Sequence, residues 1–553
     1  MSLYEKHKAL LDQALTAIHK RKFWAAYPEH PKAYGEDFIP KGEASYKELL
    51  GKKFELPNQS SEILSWAGEE NSPYTQEDLG ISYPIQNVES VIGMANKALR
   101  SWRKTTPEER AGVLVEALEK IKTHFVEIAY ATMHTTGQSF IMSFQASGPH
   151  SNDRALEPIA LGLQELKRFP AHAEWEKPMG KFSVKLQKHF RAVPKGIGLI
   201  IGCSTFPVWN TVPGLFADLI AGNVAIVKPH PKSVLPIAIV VRDIQQVLKE
   251  NGYDPDVVQL ACDTTDQLIT KKYCEHPSVK LIDYTGSTSF GEYVESLQDR
   301  KTVFTEKAGV NSVLLDSVDN LDQVIDNLSF SVSLYSGQMC TAPQNFFVPA
   351  SGVKATDKNY SYDEVVAKLK AAITGIAENP KMGVGVLGAV QNPLTIDRVA
   401  SVPKMEAGLV LEGASVSSPE FANARTSSAA LMEVESDAHH IFERELFGPI
   451  AIIIKTKNTE ESISKAKELA AKHGAITCAA YTTDETTRHH IEDEMSEVFV
   501  PVTFNLRGPI WVNQHAAFSD FHVTGGNPAG NASFTNPEFV VRRFVWVGSR
   551  MMD

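Results

Sequence analysis

Four short apolar runs, at residues 196–202 (GIGLIIG), 223–229 (NVAIVKP), 257–262 (VVQLAC) and 279–284 (VKLIDY), alternate with helical segments such as residues 236–251. Each run is strand-length and apolar at nearly every position, the pattern of strands buried on both faces of a parallel sheet. Parallel neighbours cannot be joined by a tight turn and need a crossover, usually a helix. The alternation therefore restricts the fold to βαβ units, an α/β architecture with the organisation of a dinucleotide-binding domain. A second alternating region runs from residue 311 to about 480. There NSVLLD, NFFVPA, AIIIKT and AITCAAY read as strands, and DEVVAKLKAAITGIAE and TEESISKAKELAAKH as amphipathic helices.

At 553 residues the chain exceeds one ordinary core. The expected division is an N-terminal extension over 1–80, a dinucleotide-binding domain over 81–305, a catalytic domain over 306–497 and a β-rich oligomerisation tail over 498–553. A formal charge of −11 leaves no basic excess for phosphate contacts, which argues against nucleic-acid binding. The five cysteines are odd in number and show no C-x-x-C pair, so neither a disulfide framework nor a zinc cluster is expected. The paired histidines 439–440 and 489–490 read as solvated faces, and no metal is expected. No apolar run approaches the length of a membrane span, and the first twenty residues form an amphipathic helix pattern unlike a signal peptide. A cytoplasmic protein is the expectation.

Cys340 lies in SVSLYSGQMCTAP, between a helical run and the strand-like NFFVP. At such a boundary a helix N-terminus and backbone amides would lower its pKa and favour the thiolate, which makes it the candidate nucleophile. A lone cysteine is more often a small buried apolar residue, so the rest of the sequence has to support this choice. Glu306, in VFTEKAGVNSVLL, stands between two strand-like runs and is the candidate general base.

In YTGSTSFG, Gly286 precedes a helix whose first amides face outward, and with Ser287 and Gly291 it forms a candidate phosphate seat. Lys228 ends the VAIVK run, where ligands of open α/β sheets bind. In FERELFGP, Glu445 is placed to accept from ribose hydroxyls and Phe447 to pack against a nicotinamide ribose.

GIGLIIG followed by TFP, then AGNVAIVKP, YTGSTSFG, TEKAG, SGQMC and ELFGP occur in the order and spacing of the aldehyde dehydrogenase superfamily, which the chain resembles from about residue 88 to the tail. FWAAYPEHP, MHTTGQ and GCSTFPVWN further resemble the PaaN group of phenylacetic acid degradation proteins. The resemblance implies that the Cys340 thiolate adds to an aldehyde and that hydride passes to a nicotinamide cofactor held by Lys228, Ser287 and Glu445. The thioester is then hydrolysed by water that Glu306 activates. Where the superfamily places an oxyanion-binding asparagine this chain has Thr205, with Asn210 as a second donor nearby. Ala308 replaces a family glycine beside the base.

Family members that favour NAD carry a glutamate three residues after the strand-end lysine; here that position is Pro231, next to Lys232. The exchange of charge predicts NADP over NAD. The resemblance also implies a CoA-linked semialdehyde substrate, 3-oxo-5,6-dehydrosuberyl-CoA semialdehyde, a separate ring-hydrolysing enzyme and a homo-oligomer. Arg542 and Arg543 are basic groups that CoA could use, although a solvated edge strand explains them better. Two other readings keep the fold: a CoA-acylating or thioester-hydrolysing enzyme, and a non-catalytic binding protein.

Overall fold

The computed structural model describes residues 1–553 apart from Ser60, Ala308, Lys381, residues 513–515 and Asp553. The expectation about Ala308 thus lies outside the described residues. The four apolar runs and Thr302–Lys307 form one all-parallel five-stranded sheet. Its spatial order is Val258–Leu260, Val224–Lys228, Ile197–Ile201, Val279–Gly286 and Thr302–Lys307. In chain order this is 3-2-1-4-5. The order reverses between Ile197–Ile201 and Val279–Gly286, and in open parallel sheets ligands bind outside the carboxyl ends of the strands at that reversal. The carboxyl ends here are Gly202–Cys203 and Gly286–Ser287, so topology alone places a ligand crevice beside the expected phosphate seat.

Local chemistry explains the helices around this sheet. Thr106 caps Pro107–Lys122 in a reciprocal capping box with Glu109, and Pro107 occupies the first turn, where its missing N–H has no cost. Val88–Trp102 is capped by Asn87, and Leu3–Lys20 by Ser2. Leu11, Ala14 and Ile18 bury the inner face of that first helix in the same core that covers the five-stranded sheet.

The second sheet has seven strands, with Asn345–Pro349 and Ser312–Leu315 near its centre, and is parallel except at the edge pair Gly408–Leu411 and Ala430–Glu435. Strand character in the tail is concentrated in Val502–Phe504, which joins this sheet, and Phe544–Met552, which pairs antiparallel with Ser183–Pro194. Val545, Val547, Met551 and Met552 project from that outer ribbon into solvent. Among the described residues no helix is long and apolar enough to cross a membrane.

Arg543 departs from the reading of a solvated edge strand. It is 0% exposed, donates to Asp218 Oδ1 at 2.8 Å, and meets Asp283 in two bonds of 2.6 and 2.7 Å. Phe304 and Phe539, themselves packed edge to face at 5.2 Å, both lie against the guanidinium, at 4.0 and 4.4 Å. It is committed to tying the tail to the five-stranded sheet and is not available to CoA. Removing one member of a buried charge network leaves the others uncompensated. Arg543→Met is therefore expected to lower unfolding stability by about 3–5 kcal/mol, measured by denaturant titration.

Candidate active site

Cys340 lies at the meeting point of two cavities. One, of about 690 Å³, runs along the carboxyl ends of the five-stranded sheet and is lined by Gly202, Lys228, Gly286, Ser287, Glu445 and Phe447 among others. The other, of about 480 Å³, opens on the opposite side between Phe206, Trp209, Phe330, Leu334 and Trp511. Phe206, Asn210 and Cys340 line both.

The loop carrying Cys340 is held under backbone strain. After the helix Leu321–Ser333, three successive residues adopt the left-handed region: Tyr335 (φ 52°), Ser336 (φ 48°) and Gly337 (φ 61°). Only the glycine adopts it without steric cost, and such strain persists where surrounding contacts over-determine it. Tyr335 Oη donates to Thr136 O at 2.8 Å, and Ser336 Oγ to Leu387 O at 3.0 Å. A Cβ on Gly337 would meet Gly448 O at 2.3 Å, so this glycine lets the Cys340 loop cross the ELFGP loop. On the far side, Asn311 Nδ2 donates to Cys340 O (2.8 Å) and Ala342 O (3.0 Å), and its Oδ1 accepts from Ile476 N and Thr477 N.

Glu306 ends the sheet's edge strand and is 3% exposed. The tail holds its backbone: Lys307 N donates to Ala529 O, and Thr305 N donates to Asn531 Oδ1 at 2.7 Å. Its carboxylate accepts from Cys340 Sγ at 3.4 Å on Oε1 and from Asn210 Nδ2 at 3.1 Å on Oε2. His522 Nε2 lies 3.0 Å from Oε1, a contact the sequence reading missed.

The thiol does not sit as expected. No helix begins at Cys340, where the chain turns before strand Asn345–Pro349, and burial together with the adjacent Glu306 carboxylate pushes its pKa well above the ordinary value. In this state the sulfur keeps its proton, pointed at the Glu306 carboxylate.

The expected cofactor residues divide into two groups. Lys228, Gly286, Ser287, Glu445 and Phe447 all line the larger cavity. Lys228 is 2% exposed and lies 2.6 Å from Asp263 Oδ1, so its ammonium is oriented and charge-balanced at the groove floor. Ser287 stands at the N-cap position of the helix Thr288–Glu295, with no capping bond from its side chain. Gly286 gives room to a neighbouring ring as well as to the groove: a Cβ there would meet Tyr284 Oη at 2.5 Å. Gly291 and Lys232 do not line the cavity. Gly291 packs against the stem of Lys307, where a Cβ would meet Cδ at 2.5 Å. Lys232 turns outward to Glu69, donating to its backbone oxygen at 3.2 Å and lying 3.5 Å from its carboxylate. Thr205 lines the groove with its hydroxyl 3.9 Å from Cys203 Sγ, while its carbonyl accepts from Gln138 and Tyr335.

A family model, the aldehyde dehydrogenase family, matches residues 69–529. The chain belongs to the aldehyde dehydrogenase family. Another member of known structure, an NAD-dependent aldehyde dehydrogenase from Burkholderia multivorans, superposes with a TM-score of 0.97 at 42% identity, over 100% of this chain and 99% of that one. Curated relatives include 1-pyrroline-5-carboxylate dehydrogenase 1 of Halalkalibacterium halodurans, 26% identical over 86% of this chain and 88% of its own length. The 1-pyrroline-5-carboxylate dehydrogenase of Bacillus pumilus is 24% identical over 80% of each chain. A Thermus 1-pyrroline-5-carboxylate dehydrogenase with bound NAD shares the fold at a TM-score of 0.74 and 18% identity.

Glu445 gives this aldehyde dehydrogenase a pH signature. Burial raises its carboxyl to about 7, only partly offset by Arg398. A carboxyl with a raised folded pKa holds its proton more tightly in the folded state, so stability falls as pH rises from the ordinary carboxylate range to about 7. The fall amounts to at most about 3 kcal/mol. Glu445→Gln is expected to melt at a higher temperature than the parent at pH 8 and at a similar one at pH 4, in thermal scans without cofactor.

Proposed function

We propose that the protein oxidises an aldehyde to a carboxylic acid, with Cys340 as nucleophile, Glu306 as general base and a nicotinamide dinucleotide in the larger groove. The observation that carries this reading is the placement of Cys340 where two cavities meet, with its thiol on the Glu306 carboxylate. Passing the thiol proton to Glu306 gives the thiolate, which adds to the carbonyl carbon from the smaller cavity. A bound dinucleotide supplies the hydride acceptor. Lys228, Ser287 and Glu445 suit its phosphates and ribose hydroxyls in charge and position. With the acyl group on Cys340, Glu306 takes a proton from the attacking water.

Thr205 and Asn210 are the side-chain candidates for steadying the oxyanion. The Asn210 amide is only 3.1 Å from the carboxylate that faces the sulfur, whereas the Thr205 hydroxyl faces Cys203. Losing an oxyanion donor costs about 10²–10³ in kcat. Asn210→Ala is expected to lose about 100-fold in kcat and Thr205→Ala only a few-fold, in steady-state assays.

The substrate reading is a CoA-linked semialdehyde of phenylacetate catabolism, 3-oxo-5,6-dehydrosuberyl-CoA semialdehyde, formed by a separate ring-hydrolysing enzyme. Its support is the PaaN-like segments together with the smaller cavity. Among the described residues lining that cavity there is no Lys or Arg to pair with an amino-acid carboxylate, and Ile141, Met142, Phe206 and Trp511 suit an acyl chain. The dinucleotide proposed is NADP, because Pro231 replaces the acidic residue that would repel a 2′-phosphate. Lys232 is balanced by Glu69, so the preference is one of ratio and not of exclusion. A homo-oligomer assembled through the Phe544–Met552 ribbon accounts for its exposed apolar residues.

Reduction of NADP and NAD is to be followed with this semialdehyde and with 1-pyrroline-5-carboxylate. A kcat/KM at least tenfold higher for the CoA thioester supports the substrate reading, and the reverse order removes it. A higher kcat/KM with NAD removes the NADP preference. Product formed only with free CoA would establish acylation instead.

A further inference from the structure

Two adjacent acidic residues from outside the five-stranded sheet, Glu69 and Glu70, reach the Pro231 end of the larger groove. Glu70 is 3% exposed and accepts from Val234 N at 2.6 Å, from Leu235 N at 2.8 Å and from Tyr83 Oη. Those two amides open the helix Leu235–Glu250, a position that favours a carboxylate. Glu70 thus fastens its segment to the loop that follows Lys228. Beside this anchor, the Glu69 carboxylate accepts from Thr265 N at 3.1 and 3.2 Å and from Thr265 Oγ1 at 3.1 Å. It also lies 3.5 Å from Lys232 Nζ, which donates to the Glu69 backbone oxygen at 3.2 Å.

The position of this pair relative to the groove is what matters. Thr265, His230 and Pro231 line the groove, and Lys232 does not. The Lys232 backbone is fixed as well, its N–H donating to His230 Nδ1 at 3.1 Å. Both lysines of the loop already have a carboxylate partner: Lys228 lies 2.6 Å from Asp263, and Lys232 is tied back to Glu69. His230 adds no charge at neutral pH, because burial and the two lysines push its pKa down to about 4. The charges around Pro231 are therefore balanced in pairs, with no cation left over for a further phosphate.

We propose that Glu69 is a specificity-determining residue for the dinucleotide. Carried by a segment outside the sheet, it supplies beside Pro231 the negative charge that Pro231 itself lacks, and it holds Lys232 away from the groove. This rests on the dinucleotide reading above and deepens it. Toward a 2′-phosphate Glu69 acts twice: its charge repels the anion, and its contact withholds the cation that would otherwise pair with it. Toward a 2′-hydroxyl the same carboxylate is an acceptor and carries no such penalty. The preference for NADP is thus restrained by Glu69 and released when Glu69 is neutralised.

The test measures dissociation constants by calorimetry for NADP and NAD, and for adenosine 2′,5′-bisphosphate and AMP, which differ in the same phosphate. Glu69→Gln is expected to raise the affinity for NADP relative to NAD by about tenfold, with a shift in the same direction for the bisphosphate relative to AMP. Lys232→Gln is expected to lower that ratio by about fivefold. The double variant is expected to lose most of the gain, because the cation released by the first change is gone. Ratios of kcat/KM should move in parallel. Melting temperatures check folding, and Lys232→Gln, at an exposed position, carries the test if Glu69→Gln does not fold. The proposal is overturned if the ratio in Glu69→Gln stays within twofold of the parent, if both dinucleotides weaken alike, as a merely structural role requires, or if Lys232→Gln leaves the ratio unchanged. If the parent binds neither dinucleotide, the dinucleotide reading fails and this proposal with it.

Discussion

Cys340→Ala protein is expected to fold, to bind dinucleotide and to reduce none of it, a loss of at least about 10⁴-fold in kcat. The expectation follows from the position of the sulfur and not from its acidity. In the resting protein the thiol is pushed well up by burial and by Glu306, so Cys340 is a poor nucleophile until its proton has somewhere to go. Alanine removes the atom proposed to form the covalent bond, and no other cysteine can replace it. Cys203 is bonded toward Asn210, and Cys262, Cys274 and Cys478 are buried. Alanine also removes a polar atom from a buried cluster and leaves Glu306 bonded to Asn210 and in contact with His522, so the fold survives. Cofactor-reduction assays beside equilibrium dinucleotide binding separate lost chemistry from lost structure.

Glu306→Gln has a different expected signature. The amide keeps the bond to Asn210 within reach but cannot take a proton from water, so steady-state turnover falls by about 10²–10⁴-fold. Acylation depends on the base as well, through the thiol proton. One equivalent of reduced cofactor per site is therefore expected to appear slowly and then stop, with the acyl group left on Cys340. Raising the pH ionises the thiol without help from Glu306, so the first equivalent is expected to appear faster at pH 9 than at pH 7. Hydrolysis is not expected to recover in the same way. Stopped-flow absorbance over that pH range distinguishes the two steps.

The parallel sheets were legible because strands buried on both faces must be apolar throughout, and runs such as GIGLIIG and VAIVK have few other ways to fold. The reversal of strand order then explains why Gly286, Ser287 and Lys228 share one groove although the chain separates them widely. Cys340 and Glu306 were legible as motif residues, and the loop entering a central strand of one sheet and the edge strand of the other bring them to 3.4 Å.

The electrostatics of the site were not legible in the same way. A thiol's pKa depends on what buries it and which charge faces it, and the sequence around Cys340 shows neither. His522 carried no spacing signal at all: it sits among glycine- and asparagine-rich turns, and only the folding of residues 517–535 against the strand Thr302–Lys307 brings it to the base. Arg543 was misread for a related reason. In VVRRF the two arginines look alike, yet one is at the surface and the other closes a buried triad with Asp218 and Asp283.

The most direct test is the mass of the cysteine peptide. Glu306→Gln protein is mixed with aldehyde and NADP, quenched in acid and digested. The peptide containing Cys340 is expected to gain the mass of the aldehyde less two hydrogens, the signature of a thioester formed after hydride has left. A peptide that gains the whole aldehyde, a label on another cysteine, or no label while cofactor is reduced would contradict oxidation on Cys340.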